Sequence, residues 1–449
     1  MSDGLYNALD YTISSCYITG SSGQSIEFRN IVIEFNYYED IFSNCITGNL
    51  LVSDSKGYIG ILQLQGFEYL TLVLDKPGMG SPISKEFRVC NITHRTMTTQ
   101  TNENYIINFC SEELLLNEQY RVSKSYNNTL VSDIVIDIAL NRLKIPTNKI
   151  IVDKTIGMRD IVLPNFKPIQ AINWLTTFAK GDGSGDIGSP YVFYEDRDGF
   201  KFKSILELFK QPVYKSYEYD AKGLKSPKNP VVFNLADDIT DVIRYEAIKS
   251  FDSISAIRNG SFANKMYTVD PLRLKLGESN FDYNQYFQQA GKLNQAPVPN
   301  SATNRFGDKV DSTHGVVKFC MTTTGQSINP YIKDKKITIN ENRVEETVPL
   351  RTAQLALFCN NRFKLLIPGD VEMTIGRVIN WNLPEISYND SSRKKSDDEF
   401  YSGKYIVTAV RHNINQEGKF LTTIEICKES FPSSYASFNN SSIVWSGVR

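Results

Sequence analysis

Three histidines, seven cysteines and one dense glycine run have the strongest claim on chemistry in this 449-residue chain. His94 and His412 each close an apolar strand-like run, ahead of a polar loop. A metal site would need Cys, His or carboxylate partners at short, regular spacing, and neither histidine has them. Both are therefore read as structural, each holding a loop by a hydrogen bond. His314 sits in a polar stretch and is read as solvated. Cys16, Cys45, Cys90, Cys110, Cys320, Cys359 and Cys427 are odd in number, widely spaced and contain no C-x-x-C pair. Most lie in apolar runs such as Ile107-Asn-Phe-Cys110, so they read as small buried hydrophobes rather than disulfide or metal partners.

The run from Gly181 to Gly188 fails the tests for known glycine-rich sites. No Gly-Lys-Ser/Thr ends it, and Asp182 stands where a nucleophile elbow around Ser184 would need glycine. Asp182, Ser184 and Asp186 resemble the start of a calcium loop, but Phe193 falls where its bidentate Glu belongs. The run reads as a helix-to-strand connection. Carboxylate neighbours such as Asp237-Asp238 and Glu112-Glu113 occur freely among 50 acidic residues and define no acid/base pair. We expect no catalytic residue, no cofactor and no metal.

The elements that would position any site are mostly strands. Tyr (24) and Phe (25) are abundant, which suits half-buried pleated surfaces. Ile31, Ile33, Phe35 and Tyr37 alternate with more polar residues, the period of a strand. Asp10–Thr19, Phe67–Asp75 and the two arms Phe87–Thr96 and Tyr105–Cys110 read likewise. Beyond residue 115, Val131, Ile134, Val135, Ile138 and Ala139 recur at helical spacing, and Pro168 opens a second helix predicted to reach Lys180. A hairpin follows, with Asp196-Arg-Asp-Gly199 as its turn. Residues 278–304 are rich in Asn, Gln, Pro and Ser and read as a long surface loop. Pro349–Asn360 reads as a helix with Leu350, Ala353 and Leu357 inward; Val371, Met373 and Ile375 alternate with Glu372 and Thr374. Residues 388–399 read as a mobile polar loop.

Formal net charge is −1, from 49 basic and 50 acidic residues, with no basic run of the kind that grips nucleic acid or a membrane surface. The polar start lacks a secretory signal, and no run approaches the ~18 apolar residues of a spanning helix. A cytoplasm-like compartment is expected.

A divergent duplication is the most informative pattern. Asp40-Ile-Phe-Ser-Asn-Cys-Ile-Thr-Gly48 matches Asp252-Ser-Ile-Ser-Ala-Ile-Arg-Asn-Gly260, 212 residues on. Phe87-Arg-Val-Cys-Asn-Ile-Thr-His94 matches Tyr405–His412 at a shift of 318. Ile107–Glu112 matches Ile424–Glu429 at a shift of 317. The difference of 106 residues (318 minus 212) places an insertion in the second copy.

This order of parts resembles the hub protein of T-even-type contractile phage baseplates and the related head portion of type VI secretion spikes. Tyr37–Leu50, Leu366-Ile-Pro-Gly-Asp370 with Ile375–Ile379, and Tyr401–His412 carry the resemblance, which spans most of residues 10–430. It implies an α+β, β-rich fold with two related β-barrel (tube) domains. The expected parts are 1–115 as first barrel, 116–236 as an α+β domain, 237–270 with 340–430 as second barrel, 271–339 as insertion and 431–449 as tail. It further implies a structural subunit of the virion, assembled in the host cytoplasm as a homotrimer. Its partners would be the central spike, the tail tube and baseplate wedge proteins, with no specific nucleic-acid contact and no membrane. Two barrels per chain in a trimer would match a sixfold tube to a threefold spike. The competing readings are a carbohydrate-binding or adhesive β protein, which does not explain the duplication, and a cell-wall hydrolase, for which no convergent acid/base site is found.

Overall fold

The computed structural model describes residues 8–78, 80–181, 190–219, 239–250, 252–271, 274–287, 291–297, 305–309, 316–321, 325–327, 339–342, 344–358, 360–384, 398 and 400–432. One thirteen-stranded sheet organises them. Its first seven strands are β1 (Thr12–Thr19), β2 (Ser25–Glu27), β3 (Val32–Asp40), β4 (Thr47–Asp54), β5 (Tyr69–Asp75), β6 (Ile83–Thr99) and β7 (Asn102–Cys110). The other six are β8 (Val213–Glu218), β9 (Arg244–Ser250), β10 (Asn361–Pro368), β11 (Val378–Asn382), β12 (Gly403–Ile414) and β13 (Phe420–Lys428).

The two sets share one topology. The first unit runs β3-β4-β7-β6-β5-β1, with β2 beyond, and the second runs β9-β10-β13-β12-β11-β8. Only the last strand differs in direction: β1 is antiparallel to β5, whereas β8 is parallel to β11. Alternation explains each unit's core, because successive side chains of a strand point to opposite faces. Leu70, Leu72 and Leu74 of β5 point inward with Phe35 and Tyr37 of β3, Phe87 and Val89 of β6, and Tyr105, Ile107 and Phe109 of β7. In the second unit Phe363, Leu365, Trp381, Tyr405, Ile424 and Ile426 do the same. Neither sheet closes on itself through the strand pairs of the described residues. Instead β3 takes β12 on its other side, in register from Asp40–Ala409 to Phe35–Ile414, and the two units become one sheet.

Between them lies a mixed domain. The antiparallel pair Val122–Thr129 and Arg159–Phe166, a hairpin of Tyr191–Asp196 and Gly199–Ser204, and the helices Val131–Asn141 and Pro168–Thr176 surround their own core. Pro168 opens its helix as expected, but the helix stops at Thr176, short of Lys180.

Three expected boundaries shift. The second unit already begins at β8, inside the stretch 116–236, because β8 pairs with β11 rather than with the mixed domain. The sheet is interrupted between Ser250 and Asn361, not between 271 and 339. Strand Ala263–Asp270 belongs to a separate sheet with Lys275–Asp282 and Val317–Met321. Helix Val344–Phe358 packs outside the main sheet, starting earlier than Pro349, and buries Leu350, Ala353 and Leu357 as the sequence indicates. The sequence match at Asp252 records a local cap: Asp252 accepts from the Ser255 amide after β9, as Asp40 accepts from the Phe42 amide after β3. The polar stretch 278–304 is not all surface loop, since Tyr283, Phe287 and Leu293 are buried. Residues 388–397 and the tail from 433 lie outside the described residues.

Candidate functional site

The three units meet around the segment between β10 and β11, residues 369–377. Its alternation of apolar residues suggested a strand, but it folds as turns. Val371 enters the first unit's core, while Met373 and Ile375 enter the second's. Charged groups from every unit grip it. Lys76 Nζ, fully buried, donates to the carbonyls of Ala8 (2.7 Å) and Gly369. Arg197 from the mixed domain donates to the Val371 carbonyl, the Ser81 carbonyl (3.0 Å) and Ser81 Oγ (2.7 Å). Asp370 accepts from Lys215 Nζ at 2.6 Å and from the Tyr214 hydroxyl at 3.1 Å. Burial pushes the Asp370 carboxyl up, but Lys215 and the surrounding donors outweigh it and hold it below its ordinary value.

Glu39 is the second clamp. It is buried at the end of β3 and accepts from the Tyr37 hydroxyl (2.8 Å), the Thr374 hydroxyl and the Ile375 amide (3.2 Å). Burial, and then the nearby Asp196 carboxylate, raises its carboxyl to about 7. His412 lies beside it, opposite Tyr37 in the β3–β12 register. Its Nε2 donates to the Met373 carbonyl at 3.2 Å, and its Nδ1 accepts from Thr422 Oγ1 at 3.0 Å. Thr422 Oγ1 in turn accepts from the Asp370 amide at 3.1 Å. Burial lowers its pKa to about 4, which leaves the imidazole neutral; with the Nε2 proton given to the Met373 carbonyl, Nδ1 is the bare nitrogen. The ring is fully buried and holds the segment through these hydrogen bonds.

The mixed domain is tied to the first unit by Glu195, which accepts from the Ile46 amide (2.9 Å) and the Ser111 hydroxyl and pairs with Lys85. Asn44 donates to the Phe193 carbonyl at 2.7 Å, and its side-chain amide and that of Asn173 each donate to the other's Oδ1 at 3.0–3.1 Å. The repeated phrase Asp40–Gly48 thus doubles as the joint with the mixed domain.

The other sequence candidates scatter. His94 is exposed in β6 with φ 52°, away from any such network, so the two histidines do not share the role expected of them. Matching positions fall in matching strands, but the edge at 409–414 is paired by β3, whereas the edge at 91–96 is unpaired on that side among the described residues. Glu112 pairs with Arg88 at 2.8 Å in the first turn of helix Glu112–Gln119, and burial raises Glu113 to about 7. Phe193 packs on Phe200. Gly181 pairs with Thr155, whereas Asp182, Ser184, Asp186, Gly188, Asp237, Asp238, His314 and Cys359 lie outside the described residues. Cys16, Cys45, Cys110 and Cys427 are buried as expected; Cys320 is half-buried and Cys90 is exposed. Among the described residues no group of three or more His, Cys, Asp and Glu side chains could hold a metal ion, and no helix is long and apolar enough to cross a membrane.

The buried charges were missed, although the pattern carried a signal. Glu39 continues the inward series Phe35, Tyr37, and Lys76 continues Leu70, Leu72, Leu74, each a charge where alternation demands an apolar residue.

No family model matches the chain. It is 23% identical over 430 residues to a probable baseplate hub protein of Vibrio phage KVP40, spanning 94% of this chain and 95% of that one. Its fold is that of phage-type tail proteins of known structure. A 43 kDa tail protein of prophage MuSo2 from Shewanella oneidensis superposes with a TM-score of 0.53, covering 94% and 99% of the two chains at 8% identity. A tail protein from Neisseria meningitidis gives 0.52, covering 94% and 98%, also at 8% identity. The resemblance carried by Tyr37–Leu50, Leu366–Asp370 with Ile375–Ile379, and Tyr401–His412 therefore has a homologue behind it, matched nearly end to end: a probable phage baseplate hub protein.

Proposed function

We propose that this chain is a structural hub subunit of a contractile phage baseplate, without enzymatic activity. Three copies form a ring of six quasi-equivalent β units that joins a sixfold tail tube to a threefold spike and lets DNA pass. The carrying observation is a pair of complementary sheet edges. Within the chain, β3 pairs with residues 409–414 of β12. The counterpart of β3 is β9, whose side away from β10 is unpaired among the described residues. The counterpart of residues 409–414 is 91–96 of β6 (a shift of 318), which lies beyond the β5 pairing that ends at Arg88 and is unpaired on the side away from β7 among the described residues. Repeating the internal contact between copies joins β9 of one chain to β6 of the next. Such head-to-tail contacts close into a ring when the rotation permits. An exposed strand edge left unpaired is otherwise an aggregation hazard.

The register is specific. Tyr38 and Lys249 stand opposite Thr47 and Arg362, which in turn stand opposite Cys110 and Cys427. The internal pair Tyr38–Arg411 thus maps to Lys249 of one chain facing Thr93 of another. A Thr93→Cys, Lys249→Cys variant is expected to give covalent trimers under oxidation, and electron microscopy of the parent chain threefold rings with a sixfold inner rim. Monomers in the presence of the spike protein, or trimers without the cross-link, would refute the ring or the edge respectively.

A further inference from the structure

Cys90 of β6 and Cys110 of β7 bring their sulfurs to 2.7 Å. Val89 faces Phe109 and Asn91 faces Asn108, so Cys90 is the extra residue of a β-bulge. The second unit has the same bulge in the same place. Val407 faces Ile426, Ala409 faces Glu425, and Thr408 is the extra residue. There the pair is Thr408 Oγ1 and Cys427 Sγ, 3.6 Å apart. The duplicated architecture aims the bulged side chain at the neighbouring strand's cysteine in both units. Only the first unit has sulfur at both ends.

We propose that Cys90 and Cys110 are a covalent modification site, closing to an intrachain disulfide when the protein meets a disulfide oxidant such as oxidised glutathione. Cys90 is exposed and is the entry point; Cys110 is buried and resolves. The hydrogen bond from Cys110 holds the Cys90 thiol below its ordinary value, which favours the attacking thiolate. That thiolate attacks a sulfur of oxidised glutathione, forming a mixed disulfide and releasing one glutathione thiolate. Cys110, losing its proton, then attacks the Cys90 sulfur and releases the second glutathione. Two protein thiols are oxidised and one glutathione disulfide is reduced to two thiols. The new bond pins the bulge next to the open edge of residues 91–96, and the second unit, with Thr408, stays unbridged.

The test is to incubate the full chain with oxidised glutathione, alkylate it in denaturant and map the peptides by mass spectrometry. The expected result is one linked pair, Cys90 with Cys110, two hydrogens lighter than the separate peptides, while Cys16, Cys45 and Cys427 are alkylated. The variant Thr408→Cys should add no second linked pair, because its thiol and Cys427 are both buried away from glutathione; a second pair there would show that exposure of Cys90 is not what admits the oxidant. Alkylation of Cys90 and Cys110 to the same extent as Cys427, or glutathione retained on Cys90, would overturn the proposal.

Discussion

Glu39 should make the fold lose stability as the solution becomes more alkaline, the reverse of an ordinary paired carboxylate. Its carboxyl titrates near 7 in the folded chain against 4.5 when exposed. A folded value above the unfolded one means that the native state holds a proton which the unfolded chain has released. The associated stability is fully present below pH 4.5 and is lost as pH rises through 7. At about 1.4 kcal/mol per pH unit, the interval corresponds to roughly 3 kcal/mol. The group is fully buried, so solvent screening does not reduce the effect. Glu39→Gln keeps the shape and an acceptor for Thr374 and Ile375, and the Tyr37 hydroxyl can turn to accept from the new amide. Denaturant midpoints of both proteins at pH 5 and pH 8 give the comparison. The variant should be near parity at pH 5 and more stable by up to about 3 kcal/mol at pH 8. Parallel pH profiles would refute the reasoning, because they would show that Glu39 does not titrate within the fold.

His412 should act on the acid side. Its folded value of about 4 lies below the ordinary 6.5, so the stability it confers is present above 6.5 and is lost as pH falls toward 4, by roughly 3 kcal/mol. A His412→Gln variant should show a flatter melting profile between those values. Gly48→Ala would set a methyl 2.4 Å from the Asn36 carbonyl oxygen and 2.2 Å from the Phe109 ring, costing on the order of 1–3 kcal/mol or more, read as a lowered Tm. Lys76→Met removes the donor to two carbonyls, Ala8 and Gly369; about 1–3 kcal/mol is expected for each acceptor left bare, measured by denaturation at pH 7.

The strands were legible because their inner faces are regular: Phe35 and Tyr37, or Leu70, Leu72 and Leu74, point one way at every second residue. The duplication was legible because corresponding strands carry corresponding phrases, down to the bulges at Cys90 and Thr408. The length of the interruption was not. Asp252 caps a short helix as Asp40 caps a turn, and a shared cap made a departing segment resemble a continuing one. Nor could alternation tell that residues 369–377 fold as turns. Val371 and Met373 are buried in different cores, a division that depends on which units lie on either side. The buried clamps escaped for a related reason. A charge is tolerated inside only when its partners converge, and one partner of Glu39, Thr374, lies 335 residues away along the chain.

The six residue pairs of β3 and β12 have a mechanical meaning as well. Bonds of an antiparallel ladder lie across the strands. A load carried along the strand direction from one unit to the other therefore shears the whole ladder at once, and no single bond can yield before its neighbours. A load applied across the strands would open the same ladder one rung at a time, starting at Asp40–Ala409 or at Phe35–Ile414. The seam between the two halves is thus strong in one direction and weak in another, and its orientation determines which pulls the molecule can transmit without coming apart.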